Sequence, residues 1–159
     1  MAKEIERKFL VHKELWQPQD AGKRIVQGYL FGSEQLVVRV RVYGAQGYLT
    51  IKGATQGITR AEFEYEIPVQ DAEAMLAMAE AKQIEKTRHV EFYQGSRWEI
   101  DVFHGANEGL IVAEIELPTP ESAFYKPAWL GAEVSLDDRY KNACLAEKPY
   151  SLWTRNDVR

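Results

Sequence analysis

The sequence carries one cysteine, Cys144, among 159 residues, which excludes an internal disulfide. It has three histidines, His12, His89 and His104, scattered with no Cys/His zinc pattern and no nucleophile motif beside them, so surface or packing roles are expected. Long apolar runs are missing as well. Nothing approaches the roughly 18 apolar residues that a membrane helix needs. Charge begins at Lys3, leaving no apolar core for a secretion signal. A basic excess is also missing: 20 Lys and Arg against 24 Asp and Glu give a formal net charge of −4, which disfavours a non-specific nucleic-acid binder. No linker, repeat or low-complexity stretch divides the chain. The expectation is a soluble, cytoplasmic protein in a reducing compartment, with one domain large enough to bury a core.

What the sequence does have is alternation. Strands are expected at about 3–11, 24–31, 36–43, 47–53, 60–69, 84–94, 97–104 and 110–117. Short Gly-rich turns separate most of them, as between antiparallel neighbours. One helix is expected over Asp71–Lys82, with Asp71 as its cap and Met75, Leu76, Met78 and Ala79 packing on the outside of the sheet. A short helix is expected near Pro120–Tyr125, and another after Ser135, carrying Asp137 to Asn142. Residues 1–146 are read as the domain and 147–159 as a C-terminal extension. The class is mainly β with a few helices (α+β). Eight mostly antiparallel strands are about enough to close a barrel, although strand count alone equally allows an open sandwich.

Within the strands, charge recurs at every second residue. Glu4, Glu6 and Lys8 share one face of the first strand, with Ile5, Phe9 and Val11 on the other and Arg7 breaking the pattern. Arg39 and Arg41 repeat the spacing, as do Lys86 and Arg88. So do Glu62, Glu64 and Glu66, then Glu99 and Asp101, then Glu114 and Glu116, while Lys52 closes its strand on the face of Thr50. A solvated face explains any one of these pairs. It does not explain like-charged doublets sorted by strand, because neighbouring like charges repel unless an opposite charge lies between them. Clustered carboxylates are hard oxygen ligands for Mg²⁺, Mn²⁺ or Ca²⁺. Clustered Arg and Lys suit a polyanion, and Arg matches phosphate oxygens bidentately. A site needing both would take a metal together with a polyphosphate.

Other features read more simply. Gly53-Ala54-Thr55-Gln56-Gly57 lacks the Gly-Lys-Ser/Thr ending of a phosphate loop and is expected to be a turn. Trp16, Trp98, Trp129 and Trp153 are expected to pack, and Cys144 to be a small core residue.

The ordered set from Glu4 to Asn142 resembles the CYTH domain, the superfamily of triphosphate tunnel metalloenzymes. The pattern consists of E-x-E-x-K (Glu4, Glu6, Lys8), R-x-R (Arg39, Arg41), Lys52, E-x-E (Glu62, Glu64), K-x-R (Lys86, Arg88), Asp101 and E-x-E (Glu114, Glu116). Gln27-Gly28-Tyr29-Leu30 and Asp138-Arg139-Tyr140-Lys141-Asn142 make it similar to the short bacterial members, the inorganic tripolyphosphatases. The resemblance implies an eight-stranded antiparallel closed β-barrel, a tunnel for a linear triphosphate. It implies phosphate contacts from Lys8, Arg39, Arg41, Lys52, Lys86, Arg88 and Arg139. Glu4, Glu6, Glu62, Glu64, Asp101, Glu114 and Glu116 would hold one or two divalent ions, Mg²⁺ or alternatively Mn²⁺. Glu4 or Glu6 would accept a proton from the attacking water, and Lys52 would assist the leaving group. The implied reaction is hydrolysis of tripolyphosphate to pyrophosphate and phosphate by a monomer or homodimer. A class IV-type adenylate cyclase, a thiamine or nucleoside triphosphatase, and a non-enzymatic polyphosphate-binding module are the alternatives.

Overall fold

A computed structural model describes residues 3–79 and 81–154. Among the described residues there are nine strands: β1 (Lys3–Val11), β2 (Lys23–Gly32), β3 (Leu36–Tyr43), β4 (Gln46–Gly53), β5 (Thr59–Ile67), β6 (Gln83–Tyr93), β7 (Ser96–Phe103), β8 (Ile111–Glu116) and β9 (Leu130–Glu133). The sheet runs β5-β4-β3-β2-β6-β7-β8-β1-β9, and β5 also pairs with β1. The first eight strands therefore form a closed antiparallel barrel, which decides against the open sandwich. Closure removes the exposed edges that an open sheet would carry.

The ring closes at an uneven seam. One edge of β1 pairs with β8 from Glu6 to Leu10. The opposite edge is shared, with Lys3–Ile5 against β5 and Phe9 and Val11 against β9. Strand β9 was not foreseen. It is four residues long and depends on Gly131, where a Cβ would come within 2.9 Å of the Leu10 carbonyl oxygen. Between β6 and β7 the chain turns on Gln94 and Gly95, with φ of 49° and 81°. Two left-handed residues are what a two-residue type I′ hairpin requires.

The barrel interior is charged, so most of the apolar core lies outside it. Phe9, Trp98, Ile100, Ala113 and Ile115 form one cluster with Trp16, and Phe124 and Trp129 pack against it. Helix α1 (Val69–Met78) covers a second outer face, burying Ala72 and Leu76 against Val40. A third cluster closes one end of the barrel. Inward residues Tyr29, Ile84, Phe103 and Val112 meet Tyr140 and Leu145 of the C-terminal segment, and Tyr150 and Trp153 pack on the same cluster. Helix α2 (Asn142–Glu147) belongs to this segment.

Several expectations about the helices are corrected. Helix α1 begins at Val69 with Pro68 at its N-cap and no side-chain cap bond, so Asp71 lies in the first turn instead of capping it. Its charge there still suits the positive end of the helix. Met78 is 79% exposed and does not pack on the barrel. No helix forms near Pro120–Tyr125. Thr119 and Ser122 close a turn through the Ser122 hydroxyl, and Phe124 then lies across Phe9 and Trp98. After Ser135 a single 3₁₀ turn, Asp138–Tyr140, precedes α2. Among the described residues, no helix is long and apolar enough to cross a membrane. Within the 147–159 extension, residues 155–159 lie outside the described residues.

Candidate active site

Strand alternation sends the charged doublets into the barrel. Lys8, Arg39, Arg41, Lys86, Arg88, Glu4 and Asp101 are all buried. Glu4, Glu6, Lys8, Arg39, Lys52, Lys86, Arg88 and Glu114 line one cavity of about 550 Å³. Arg7 points outward and pairs with Glu133 at 2.5 Å. The break in alternation at position 7 is thus an ion pair on the outer surface.

Most of the interior charges pair across strands. Arg88 donates to both oxygens of Asp101, at 2.8 and 2.9 Å, and Lys86 lies 2.7 Å from the same carboxylate. Burial alone would raise Asp101, but Arg88 and Lys86 outweigh it and hold its pKa far below the usual carboxylate range. The same burial pulls Lys86 down to about 8, against the opposing pull of Asp101. Glu64 takes Arg39 at 3.2 Å, Arg41 at 3.3 Å and the Thr50 hydroxyl at 2.7 Å. Lys52 lies between Glu4 at 2.9 Å and Glu62 at 3.5 Å. Glu114 is 3.7 Å from Lys8; burial opposes its ionisation, but Lys8 prevails and its pKa falls to about 2. Glu66 sits at the rim near Gln46, outside this network.

Two acids differ from the rest. Glu6 and Glu116 are direct cross-strand partners on β1 and β8. Among the described residues, neither has a cation within ion-pair distance. Burial raises the Glu6 pKa well above its ordinary value, with Glu114 and Glu4 adding to the effect. Burial also raises Glu116, with Glu4 and Glu99 adding to it. Burial raises Glu4 despite Lys52, and Glu62 adds to this. Among the described residues, no three Asp, Glu, His or Cys groups stand together as a finished metal cage. The donor set nevertheless fits a hard divalent cation: several carboxylates crowd together and protonate more readily for want of positive charge.

The cation side has a matching deficit. The Nε atoms of Arg39 and Arg41 are buried and have no hydrogen-bond partner among the described residues. Buried donors of that kind are normally satisfied, and an anion in the tunnel would satisfy them.

Three placements depart from expectation. Arg139 is not brought to the cavity wall; its guanidinium pairs with Asp137 at 2.7 Å and lies over the Trp153 ring. Cys144 is a lining residue of the cavity instead of a core residue. Arg60, Lys141 and Lys148 also line the cavity; Arg60 continues the Glu62 and Glu64 alternation at the start of β5, whereas Lys141 and Lys148 lie on the C-terminal segment, where no alternation marks them. The histidines take surface or packing roles: His12 is exposed beside Glu14, and His89 stacks edge-on against Trp16 and bonds to Asp20 at 2.9 Å.

The CYTH domain family model matches residues 2–143. The chain belongs to the CYTH domain family. This CYTH domain is 47% identical over 151 residues to an inorganic triphosphatase of Acetivibrio thermocellus, covering 94% of this chain and 97% of that one. It is 35% identical to an inorganic triphosphatase of Nitrosomonas europaea, covering 90% of this chain and 96% of that one. The crystal structure of an inorganic triphosphatase superposes with a TM-score of 0.67, at 33% identity and 97% coverage of both chains.

Proposed function

We propose that this CYTH domain hydrolyses inorganic tripolyphosphate to pyrophosphate and phosphate with a divalent metal ion. The observation that carries the reading is a tunnel whose wall joins Arg39, its buried Nε unpartnered among the described residues, to Glu6, which has no cation within ion-pair distance among them. Relatives named inorganic triphosphatase at 47% and 35% identity support it.

Lys8, Arg39, Arg41, Lys52, Lys86 and Arg88 bind the phosphate oxygens. Glu4, Glu6, Glu114 and Glu116 would hold Mg²⁺ or Mn²⁺, one or two ions, with Glu62 beside them. Asp101 and Glu64 already hold Arg88, Lys86, Arg39 and Arg41 in place, and they serve the reaction through those cations. When bound, the ion supplies charge neutralisation and a more acidic water. Phosphoryl transfer needs little else beyond positioning. Water attacks the terminal phosphorus in line, the bridging P–O bond breaks, and its electron pair leaves with pyrophosphate. Glu6 or Glu4, both on the cavity wall, takes the water's proton. Lys52 lies beside Glu4 and stabilises the leaving oxygen.

The small substrate is favoured over a nucleotide or thiamine triphosphate by the cavity wall. Among the described lining residues the one aromatic is Tyr29, whose hydroxyl accepts from Gln27. A base or thiazole ring would be expected to meet a stacking platform. The protein is expected to act in the cytoplasm as a monomer or homodimer. Steady-state assays of tripolyphosphate, ATP and thiamine triphosphate side by side test the reading. It requires kcat/KM to be highest for tripolyphosphate; cyclic AMP formed from ATP would replace it with the cyclase.

A further inference from the structure

The two buried lysines of the tunnel are held in the same way. Lys8 Nζ lies 3.7 Å from Glu114 and donates to the Tyr140 carbonyl at 3.2 Å. Lys86 Nζ lies 2.7 Å from Asp101 and donates to Asn142 Oδ1 at 2.9 Å. In each case the carboxylate comes from the barrel wall and the neutral oxygen from the C-terminal segment. An ammonium has three N–H donors. On Lys86 two are fixed and the third remains for the cavity; on Lys8 one is fixed, with Glu114 at ion-pair distance only, and that lysine lines the same cavity. A carboxylate in the second position would aim the ammonium equally well, but it would also cancel the charge an anionic substrate needs. A neutral oxygen sets direction and leaves the charge.

Asn142 is itself held. Gln27, fully buried on β2, donates from Nε2 to Asn142 Oδ1 at 3.2 Å and to the Tyr29 hydroxyl at 2.9 Å. That donor keeps the oxygen of Asn142, not its amide nitrogen, turned toward Lys86. Asn142 is also the first residue of α2, a helix whose N-cap makes no side-chain hydrogen bond. Its side chain turns into the tunnel and does not serve the helix end.

We propose that Asn142 is a positioning residue for substrate phosphate, aiming the free N–H of Lys86 into the tunnel while preserving its charge. The inference rests on the triphosphatase reading for the identity of the anion. It makes the C-terminal segment a working wall of the site. It also explains why a neutral amide, and not an acid, faces Lys86 in a tunnel otherwise rich in carboxylates.

The test is calorimetric binding of tripolyphosphate to chelator-treated protein, alongside KM and kcat with Mg²⁺ and the melting temperature of each variant. Asn142→Ala removes one oriented hydrogen bond to a charged group, and its Kd for tripolyphosphate is expected to rise about tenfold. Asn142→Asp keeps the shape and the acceptor and so folds like the native protein. It places a second carboxylate on Lys86, and its Kd is expected to rise further than that of the alanine variant, with KM following. A purely structural Asn142 predicts the reverse order, since Asp still accepts from Lys86 and Gln27. Binding by Asn142→Asp within about twofold of native would overturn the proposal. Native protein that binds tripolyphosphate without hydrolysing it would sink the triphosphatase reading, and the order of the two variants would still decide the role of Asn142. Native protein that does not bind tripolyphosphate would overturn both.

Discussion

Glu6 and Glu116 face each other across the β1–β8 ladder with no cation within ion-pair distance of either, among the described residues. Directly opposed like charges destabilise a sheet by up to about 1 kcal/mol. Replacing one of them should therefore separate stability from chemistry. Glu6→Gln is expected to match or exceed the native melting temperature while losing about a hundredfold or more in turnover. Thermal denaturation and a phosphate-release assay on the same preparation check both halves.

Asp101 behaves oppositely. It compensates Arg88 and Lys86, all three buried. Asp101→Asn leaves two buried cations short of their counter-charge, and breaking a buried pair in this way costs about 3–5 kcal/mol. Urea denaturation should show a lower midpoint for Asp101→Asn but not for Glu6→Gln. Equal midpoints would mean that the two acids do the same work.

The pH dependence has two limbs. Lys86 is depressed to about 8 in the folded protein. Above that pH it loses charge while the unfolded chain stays protonated up to its ordinary value near 10.5. The unfolded state then binds more protons, so this group raises stability with pH between those values as it weakens phosphate binding. The kcat/KM profile is expected to fall above about pH 8, and Lys86→Arg should move that limb upward. Glu114 acts with the same sign at lower pH: its stabilisation is complete above its unfolded value of 4.5 and is lost as pH falls toward about 2.

Glu4, Glu6 and Glu116 are raised, so the folded metal-free protein keeps protons above 4.5 that the unfolded chain has released. A cation must displace those protons. Mg²⁺ binding is expected to release protons and to tighten as pH rises above 4.5. Calorimetry in buffers of different ionisation enthalpy measures the release directly.

The outer face offers a control. A Cβ on Gly47 would lie 2.8 Å from the Cβ of Ala72 and 3.0 Å from the Ile67 carbonyl oxygen. Gly47→Ala should loosen α1 and destabilise by about 1–3 kcal/mol. Activity at low temperature should be retained, because the helix packs outside the tunnel.

The period-2 alternation made the barrel legible, since every inward charge on β1, β3, β5, β6 and β8 follows from parity. It also placed Arg7 outside. Parity cannot say which acid meets which base. Asp101 and Glu116 look alike in sequence, yet the register sets Asp101 opposite Arg88 and Glu116 opposite Glu6. The C-terminal segment was the least legible part. Asn142, Lys141 and Lys148 carry no alternation, and their approach to the tunnel depends on Tyr140 and Leu145 burying against the barrel end. Strand β9 and the extended stretch around Phe124 were hidden for a related reason: four residues with a glycine, and a run broken by prolines, form only against an existing surface.

The most direct measurement follows tripolyphosphate by ³¹P NMR with the native protein, with and without Mg²⁺, and with Glu6→Gln. A tunnel that joins arginine-held phosphate to a carboxylate-held cation predicts equal amounts of pyrophosphate and phosphate, formed only with metal and almost absent for Glu6→Gln. Unchanged tripolyphosphate under every divalent ion, or equal turnover by Glu6→Gln, would contradict it.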